Sequence, residues 1–349
     1  MKIFTFNAAN DTRVEILWSL RSKNRDKIFA KYIAENKYTE VNSIQDCQVA
    51  IYPKKAFNPE TLAFDPSVYD AVEEAEKYQK PLIIDATCDS DVFLDMPTAR
   101  ILRCGLYKSL QQKFETESPF WSNFRTKSSL DLLKIFPKQP KPAISFCGTT
   151  SSVGKLSQIS KFLLSIQTVK SVLSSGRLSR KIDIRLKEGM SLKLRETAIK
   201  LLTIDQRINS YFDVTNPHQS YYCNDESNRI KLEKLFVNNI SKCDYVLCAR
   251  GTGNYSGRFY MALNAGRIPI VIDTDVVIPF ENKIHIVKVP VESINRIVDY
   301  VLEHFETTSE SELETMKLEN RHVYHQYIAP EKFLTNFLHS VSEYKFNNS

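Results

Sequence analysis

The feature that most restricts the fold is the alternation of short apolar runs with longer stretches of helical periodicity. Several runs are apolar throughout, as in parallel strands that helices cover on both faces. The alternation predicts an α/β protein with parallel sheets. The predicted strands form two series: KIFTF (2–6), QVAIYP (48–53), PLIIDA (81–86) and RILRC (100–104), then AISFCG (143–148), KIDIRL (181–186), YVLCA (245–249), IPIVID (268–273) and IHIVKV (284–289).

A proline-rich segment separates the two series. FPKQPKPA (136–143) has three prolines in eight residues, so it cannot hold a helix. With 349 residues, the chain is long enough for two domains with separate cores. We therefore predict an N-terminal domain at 1–138 and a C-terminal domain at 139–349. The sequence does not decide which domain receives the last predicted helix, from about Pro330 to Tyr344.

The charge balance restricts the partners. The chain carries 47 basic and 41 acidic residues, a formal net charge of +6. This excess suits a phosphate-bearing ligand or an anionic membrane surface, and it is too weak to indicate nucleic acid. Basic clusters at 177–187 and 193–207 alternate with apolar residues. We interpret them as solvated faces, with peripheral membrane contact as the alternative.

No apolar run approaches the roughly 20 residues that span a bilayer, and the first residues lack the order of a signal peptide. A cytoplasmic protein is expected, with the inner face of the membrane as the alternative. The seven cysteines include no CxxC pair, which indicates neither a disulfide framework nor a thiolate zinc site. We expect no metal site.

The segment from Cys243 to Ile284 contains the clearest sequence pattern for a ligand-binding loop. It reads as a buried strand, a glycine-containing loop, a helix from about Gly257 and a second buried strand. The carboxyl end of a parallel strand is where open α/β sheets bind ligands. A helix N-terminus attracts phosphate through its N–H groups, and guanidinium groups match phosphate oxygens. The loop between Arg250 and Arg258 therefore suits a diphosphate, with a tight turn bearing two surface arginines as the alternative.

The run CARGTGNYSGRFYMALNAGRIPIVIDTDVVIPF (248–280) resembles the C-terminal motif of exostosin-like glycosyltransferases, especially bacterial members. The resemblance implies a GT-B architecture, in which two Rossmann-like domains face each other across a cleft. It also implies inverting sugar transfer without a bound metal ion. Arg250, Ser256 and Arg258 would contact the diphosphate of a nucleotide-sugar donor. The residues that would shape the loop are Gly251, Gly253, Asn254 and Tyr255.

One position departs from the family pattern. Met261 stands where the family commonly has a glutamate, a residue that can bind the donor ribose in related folds. Methionine cannot accept those hydrogen bonds. The substitution therefore favours, as the alternative to an active transferase, a catalytically silent subunit that binds glycan or a partner enzyme.

Two further segments add candidate residues on the donor side. The run CGTTSSVGK (147–155) is similar to a Walker A loop but has one residue too many between its glycines, and Leu156 replaces the required Ser or Thr. Its Thr149 and Lys155 remain candidates for contact with donor phosphate. Asp273 and Asp275 follow a strand beside the loop, so we expect them to line the cleft without holding a metal.

An inverting transfer also needs a base that takes the proton of the acceptor hydroxyl. Asp85, Asp89 and Asp91 follow the predicted strand 81–86 and are the candidates, with solvated loop carboxylates as the alternative. The predicted function is transfer of a sugar to a glycan or lipid-linked acceptor in surface polysaccharide synthesis.

Overall fold

A computed structural model describes residues 1–6, 38–58, 63–89, 94–150, 177–215 and 225–343, and for 177–190 it describes the backbone alone. In chain order the strands are β1 (Lys2–Phe4), β2 (Thr39–Glu40), β3 (Val49–Ile51), β4 (Phe57–Asn58), β5 (Ala63–Phe64), β6 (Leu82–Asp85), β7 (Ala99–Arg103), β8 (Glu115–Glu117), β9 (Ala143–Gly148), β10 (Asn209–Val214), β11 (Tyr245–Leu247), β12 (Ile268–Asp273) and β13 (Val287–Pro290). The α-helices are α1 (Ser67–Lys77), α2 (Phe124–Asp131), α3 (Arg177–Ile204), α4 (Glu226–Ile240), α5 (Gly257–Asn264), α6 (Ile297–Thr307), α7 (Glu310–Val323) and α8 (Pro330–Ser342).

The chain divides into two compact units. Unit 1 comprises Met1–Ser118 and Ala329–Ser349, and unit 2 comprises Pro119–Ile328. The sequence placed the division within 136–143, but residues 119–138 belong with unit 2. The reason is a set of contacts within that unit: the Lys138 ammonium donates to the carbonyl oxygens of Phe305 and Thr308, each at 2.6 Å. The last helix, α8, groups with unit 1.

Unit 1 contains a six-stranded parallel sheet in the order β2-β1-β3-β6-β7-β8. Helix α1 buries Val68, Ala71 and Ala75, which recur at helical spacing. Helix α8 begins with Pro330 in its first turn, where a missing N–H costs nothing, and buries an apolar face that includes Phe333 and Phe337. Strands β4 and β5 form a separate antiparallel pair.

Unit 2 contains a five-stranded parallel sheet in the order β10-β9-β11-β12-β13. Counted within the unit, this order is 2-1-3-4-5, a doubly wound arrangement whose strand order reverses between β9 and β11. One face of the sheet packs in a core with residues of α3, α6 and α7, including Ala198, Val301 and Leu313. Ligands of such sheets bind at the carboxyl ends of the strands that flank the reversal.

The predicted α/β class with parallel sheets is confirmed, and eight of the nine predicted strands overlap observed ones. The ninth prediction was wrong: KIDIRL (181–186) lies inside helix α3. Its short alternation of charged and apolar residues matches a strand. However, Leu178, Ile182, Leu186 and Met190 continue at four-residue spacing over several turns. The longer helical period decides the structure.

None of the described helices combines the length and low charge that a transmembrane span requires.

Candidate functional site

The loop after β11 is held by its own side chains. The backbone N–H of Gly251 donates to the carbonyl oxygen of Tyr255 at 3.0 Å and closes the loop. Arg250 donates through Nη1 to Asn254 Oδ1 at 2.9 Å and through Nη2 to Thr252 O at 3.1 Å. These bonds give Arg250 a role in fixing the loop.

Asn254 connects the same loop to the end of the next strand. Its Oδ1 accepts from the Thr274 hydroxyl at 2.6 Å, and its Nδ2 donates to Thr274 O at 3.2 Å. Asn254 is buried, and so is Gly253 beside it. The loops that follow β11 and β12 are therefore joined by one side chain.

Asp273 and Asp275 stabilise the turn after β12. The Asp273 carboxylate accepts from the backbone N–H of Asp275 at 3.0 Å and lies 3.2 Å from the Lys288 ammonium. Asp275 has a left-handed φ of 63°. Asp273 thus acts as an acceptor within the turn and as an ion-pair partner of Lys288.

Helix α5 begins beside this loop without a side-chain cap. Ser256 is its N-cap residue, yet the hydroxyl makes no capping bond and lies buried without a partner. The first N–H groups of a helix have no acceptor within the helix, and a side chain of the N-cap residue often supplies one. The start of α5 therefore keeps a site of positive potential.

An aromatic ring packs against the same turn. A Cβ at Gly257 would lie 2.7 Å from Cδ1 of Phe120, so only glycine leaves room for the ring. The ring centroids of Phe120 and Tyr255 are 6.3 Å apart. The pair forms an aromatic wall at the start of α5.

Arg258 joins α5 to the end of β9 across the reversal of strand order. Its Nε donates to Cys147 O at 2.7 Å, and its guanidinium lies 4.5 Å from the centre of the Phe146 ring. Gly148 provides the space, because a Cβ there would come within 1.7 Å of Arg258 Nη2. Gly148 also has a φ of 152°, which side chains disfavour.

Arg195 on α3 is a site residue that the sequence did not single out. Its Nη1 donates to Thr149 O at 3.1 Å and its Nη2 to Ala249 O at 3.4 Å, so it links the chain after β9 with the chain after β11. The residue is only 7% exposed. The residues at helical spacing from Arg195 could have indicated that it is buried, because Ser191, Ala198 and Leu202 lie on the same buried face of α3.

The two guanidinium groups make this end of the sheet positive. Within the described ranges neither Arg195 nor Arg258 pairs with a carboxylate. Burial lowers the pKa of Arg195 to about 9, with the charge of Arg258 as the second cause. Burial likewise lowers the pKa of Arg258. Both shifts express the cost of holding cations away from water, a cost that a bound anion would offset.

A depression of roughly 370 Å³, which includes space open to solvent, adjoins the loop. Its lining is mainly apolar and aromatic, with a few polar groups near the strand ends, as is usual for ligand pockets. The lining includes Arg250, Tyr255, Phe259, Thr274, Val277 and Ile278.

The remaining candidates lie elsewhere or outside the described ranges. Asp85 is buried in unit 1, where it accepts from the Lys55 ammonium and the Thr87 hydroxyl, each at 2.6 Å. Asp89 is exposed, and Asp91 and Lys155 lie outside the described residues. Thr149 contributes its carbonyl oxygen to the contact with Arg195. The roles of the three aspartates as bases stay predictions.

Met261 is buried in helix α5 at 8% exposure. It does not line the depression beside the loop. Among the described residues, no three His, Cys, Asp or Glu side chains are grouped so as to hold a metal ion.

Comparisons with known proteins add resemblances of fold only. No family model matches the sequence, and no curated protein matches it. Among solved structures, Anabaena HepE in complex with UDP and glucose is 8% identical, with 99% of this chain and 100% of that chain covered and a TM-score of 0.41.

A glycosyltransferase from Rickettsia africae is 9% identical, with 98% of each chain covered and a TM-score of 0.41. Staphylococcus aureus TarM, in complex with UDP and other ligands, is 12% identical, with 88% of this chain and 51% of that chain covered and a TM-score of 0.36. Identities and TM-scores this low do not establish a common function.

Proposed function

We propose that the chain is an exostosin-like glycosyltransferase of GT-B type that moves a sugar from a nucleotide-diphosphate donor to a glycan or lipid-linked acceptor. The observation that carries the proposal is the position of Arg258. Its guanidinium lies at the uncapped start of α5, beside the reversal of strand order, and pairs with no carboxylate of the described residues. Such an arrangement suits a diphosphate.

The chemistry follows from this placement. In an inverting transfer, the acceptor oxygen forms a bond to the anomeric carbon while the bond from that carbon to the diphosphate oxygen breaks. The electron pair leaves with the diphosphate, and the acceptor proton passes to a base, for which Asp85, Asp89 and Asp91 are the candidates. Arg258 and the N–H groups of α5 would stabilise the departing charge without a metal ion.

The depression beside the loop would take the nucleoside part of the donor. Its aromatic and aliphatic lining suits a base, and it lies next to the residues proposed for the diphosphate. The resemblance to exostosin-like proteins supports a role in surface polysaccharide synthesis, in the cytoplasm or at the inner face of the membrane.

Met261 favours a second candidate function. A buried methionine cannot bind a ribose hydroxyl. A catalytically silent subunit that binds glycan or a partner enzyme would account for it.

The test is a transfer assay on the full chain. Nucleotide sugars with different bases are incubated with glycan and lipid-linked acceptors, with and without EDTA, and release of nucleoside diphosphate is measured. We expect EDTA-resistant release from one donor class and loss of that release in Arg258→Ala. If no donor gives release with any acceptor while nucleoside diphosphates still bind, the silent subunit replaces the enzyme.

A further inference from the structure

Arg195 and Arg258 approach the same point from opposite sides of the strand-order reversal. Arg195 reaches it from α3 and contacts Thr149 O and Ala249 O. Arg258 reaches it from α5 and contacts Cys147 O. The carboxyl ends of β9 and β11 therefore bring the two cations together, close enough for the charge of Arg258 to lower the pKa of Arg195.

The Arg195 guanidinium lacks acceptors. A guanidinium carries five N–H donors, and Arg195 uses two of them on carbonyl oxygens. Its Nε is buried without a hydrogen-bond partner. Buried donors in folded proteins are nearly always paired, so an unpaired one at the ligand edge of a sheet needs an explanation. A bound anion supplies one.

We propose that Arg195 and Arg258 together form one binding site for a diphosphate, in which Arg195 is a second anion-binding residue. The proposal deepens the proposed function, because a diphosphate is the leaving group of a nucleotide sugar. It does not depend on sugar transfer, since the same site binds inorganic pyrophosphate.

The chemistry of the site favours a diphosphate over a single carboxylate. Two neighbouring guanidinium groups are balanced by at least two negative charges, which one diphosphate provides on adjacent phosphoryl groups. Guanidinium forks also match phosphoryl oxygens in a bidentate way. The Ser256 hydroxyl is buried without a partner at the start of α5 and offers a further donor.

The glycines Gly148 and Gly251 adjoin the two guanidinium groups, and Gly148 leaves room for one of them. Gly148 must lack a side chain because Arg258 occupies the space beside it. Gly251 lies against Arg195, and a Cβ there would lie 3.5 Å from Arg195 Nη2. The backbone on both sides of the reversal therefore stays close to the two cations, as approach of a diphosphate requires.

The experiment is calorimetric titration of the full chain with inorganic pyrophosphate and, separately, with a panel of nucleoside diphosphates and the corresponding phosphate-free nucleosides. The variants are Arg195→Met, which keeps much of the length of the side chain, and Arg195→Lys, which keeps a charge. Arg207→Met is the matched control, because Arg207 is exposed and pairs with Asp205 near the same helix. Melting temperatures report whether each variant is folded.

We expect Arg195→Met to weaken pyrophosphate binding at least tenfold, about 1.4 kcal/mol. Arg195→Lys should lose at least about threefold, because one ammonium cannot hold both carbonyl oxygens and a diphosphate. Arg207→Met should change affinity by less than about twofold. Arg195→Met should reduce pyrophosphate affinity less in the Arg258→Ala background than in the wild type, because the two arginines bind one ligand.

The contrary results are distinct. Wild-type affinity in a folded Arg195→Met variant overturns the proposal, as does wild-type affinity in Arg195→Lys if the Met variant does not fold. An equal loss for pyrophosphate and for a phosphate-free nucleoside overturns it too, because it indicates a structural role. Arg195-dependent pyrophosphate binding without sugar transfer supports this proposal while it refutes the proposed enzyme.

Discussion

The two ends of the unit 2 sheet each hold a buried arginine, Arg267 at one end and Arg195 at the other, and the two differ in how many of their nitrogens are hydrogen-bonded. At the amino end, Arg267 is fully buried and donates to carbonyl oxygens of Ile240, Ala265, Gly266 and Lys134 at 2.9–3.3 Å. At the carboxyl end, Arg195 and Arg258 together have three such bonds. Arg267 therefore uses all three of its nitrogens, whereas the second arrangement leaves donors for a ligand.

The amino end also holds a buried ion pair. Lys317 is fully buried and pairs with Asp244, and it also donates to Phe136 O at 3.1 Å. Arg321 donates to the carbonyl oxygens of Leu133 and Ala265. These bonds attach the segment before β9 to the sheet. All three nitrogens of Arg267 donate to carbonyl oxygens within the fold, whereas the Nε of Arg195 has no partner, and this difference separates the two arginines.

The same division applies within the segment 248–280. In A-G-R-I-P (265–269), Gly266 has a φ of 62°, and the buried Arg267 donates hydrogen bonds at the amino end of the sheet. Arg258 donates a hydrogen bond at the carboxyl end. One half of the segment therefore stabilises the fold, and the other half forms the candidate site.

The largest expected effect is on stability at the amino end. Lys317→Met leaves Asp244 buried without its counter-ion, which we expect to lower the free energy of unfolding by about 3–5 kcal/mol. Chemical denaturation measures this free energy of unfolding. Lys242→Met, at an exposed position, is the control. Asp244→Asn added to Lys317→Met should recover part of the loss, and a Lys317 variant as stable as the wild type contradicts the comparison.

The next effect is on binding at the carboxyl end. Arg258→Ala should weaken binding of the preferred nucleoside diphosphate by about 1.5–3 kcal/mol, because a charge-assisted bond to phosphate is lost. Unfolding free energy should change little, since the cation has no carboxylate partner in the described ranges. Titration calorimetry checks the affinity, with the exposed Arg296→Ala as the control. A large loss of stability with unchanged affinity would assign Arg258 to the fold.

Two glycine substitutions, at Gly148 and Gly251, should differ in their effect on stability. Gly148→Ala should cost about 1–3 kcal/mol of stability, because its φ is unfavourable and the Cβ meets Arg258. Gly251→Ala places its Cβ at an ordinary 3.5 Å from Arg195 and should cost under about 1 kcal/mol. Thermal unfolding of both variants is the measurement. Equal losses of stability would contradict the view that the backbone conformation and the space at position 148 require glycine.

The smallest effect concerns the helix caps. Ser256→Ala should lower stability by less than about 0.5 kcal/mol, because its hydroxyl makes no capping bond. Ser309→Ala is the matched control within the same unit, since Ser309 forms a complete capping box with Glu312 and should lose about 1 kcal/mol. If Ser256→Ala costs as much as Ser309→Ala, α5 is capped and its start is less suited to an anion.

The sequence predicted most of the sheet scaffold but missed the short or polar strands. Strands β9, β11 and β12 are continuous apolar runs whose burial on both faces leaves a clear pattern. Strands β8 (ETE) and β10 (NSYFDV) were missed because they lie at sheet edges and carry polar residues. Their pairing depends on neighbours far along the chain, which a local pattern does not contain.

The site was predicted in part for a similar reason. Ser256 and Arg258 were predicted as site residues because they are close together in one motif. Arg195 was missed because its role depends on contacts with residues 46 and 54 positions away. Arg250 and Asp273 were expected to face the donor, and the structure gives them partners within the turns. Hydrogen-bond saturation of this kind is a property of the folded chain.

The measurement that tests the account most directly is calorimetric titration of wild type and Arg258→Ala with UDP, GDP, ADP and the corresponding nucleosides. We expect the wild type to bind one nucleoside diphosphate at least tenfold more tightly than the variant does. We expect both proteins to bind the nucleoside without phosphates equally and weakly. Equal binding of every diphosphate by the two proteins, or binding of none, would contradict a diphosphate site at the carboxyl end of the unit 2 sheet.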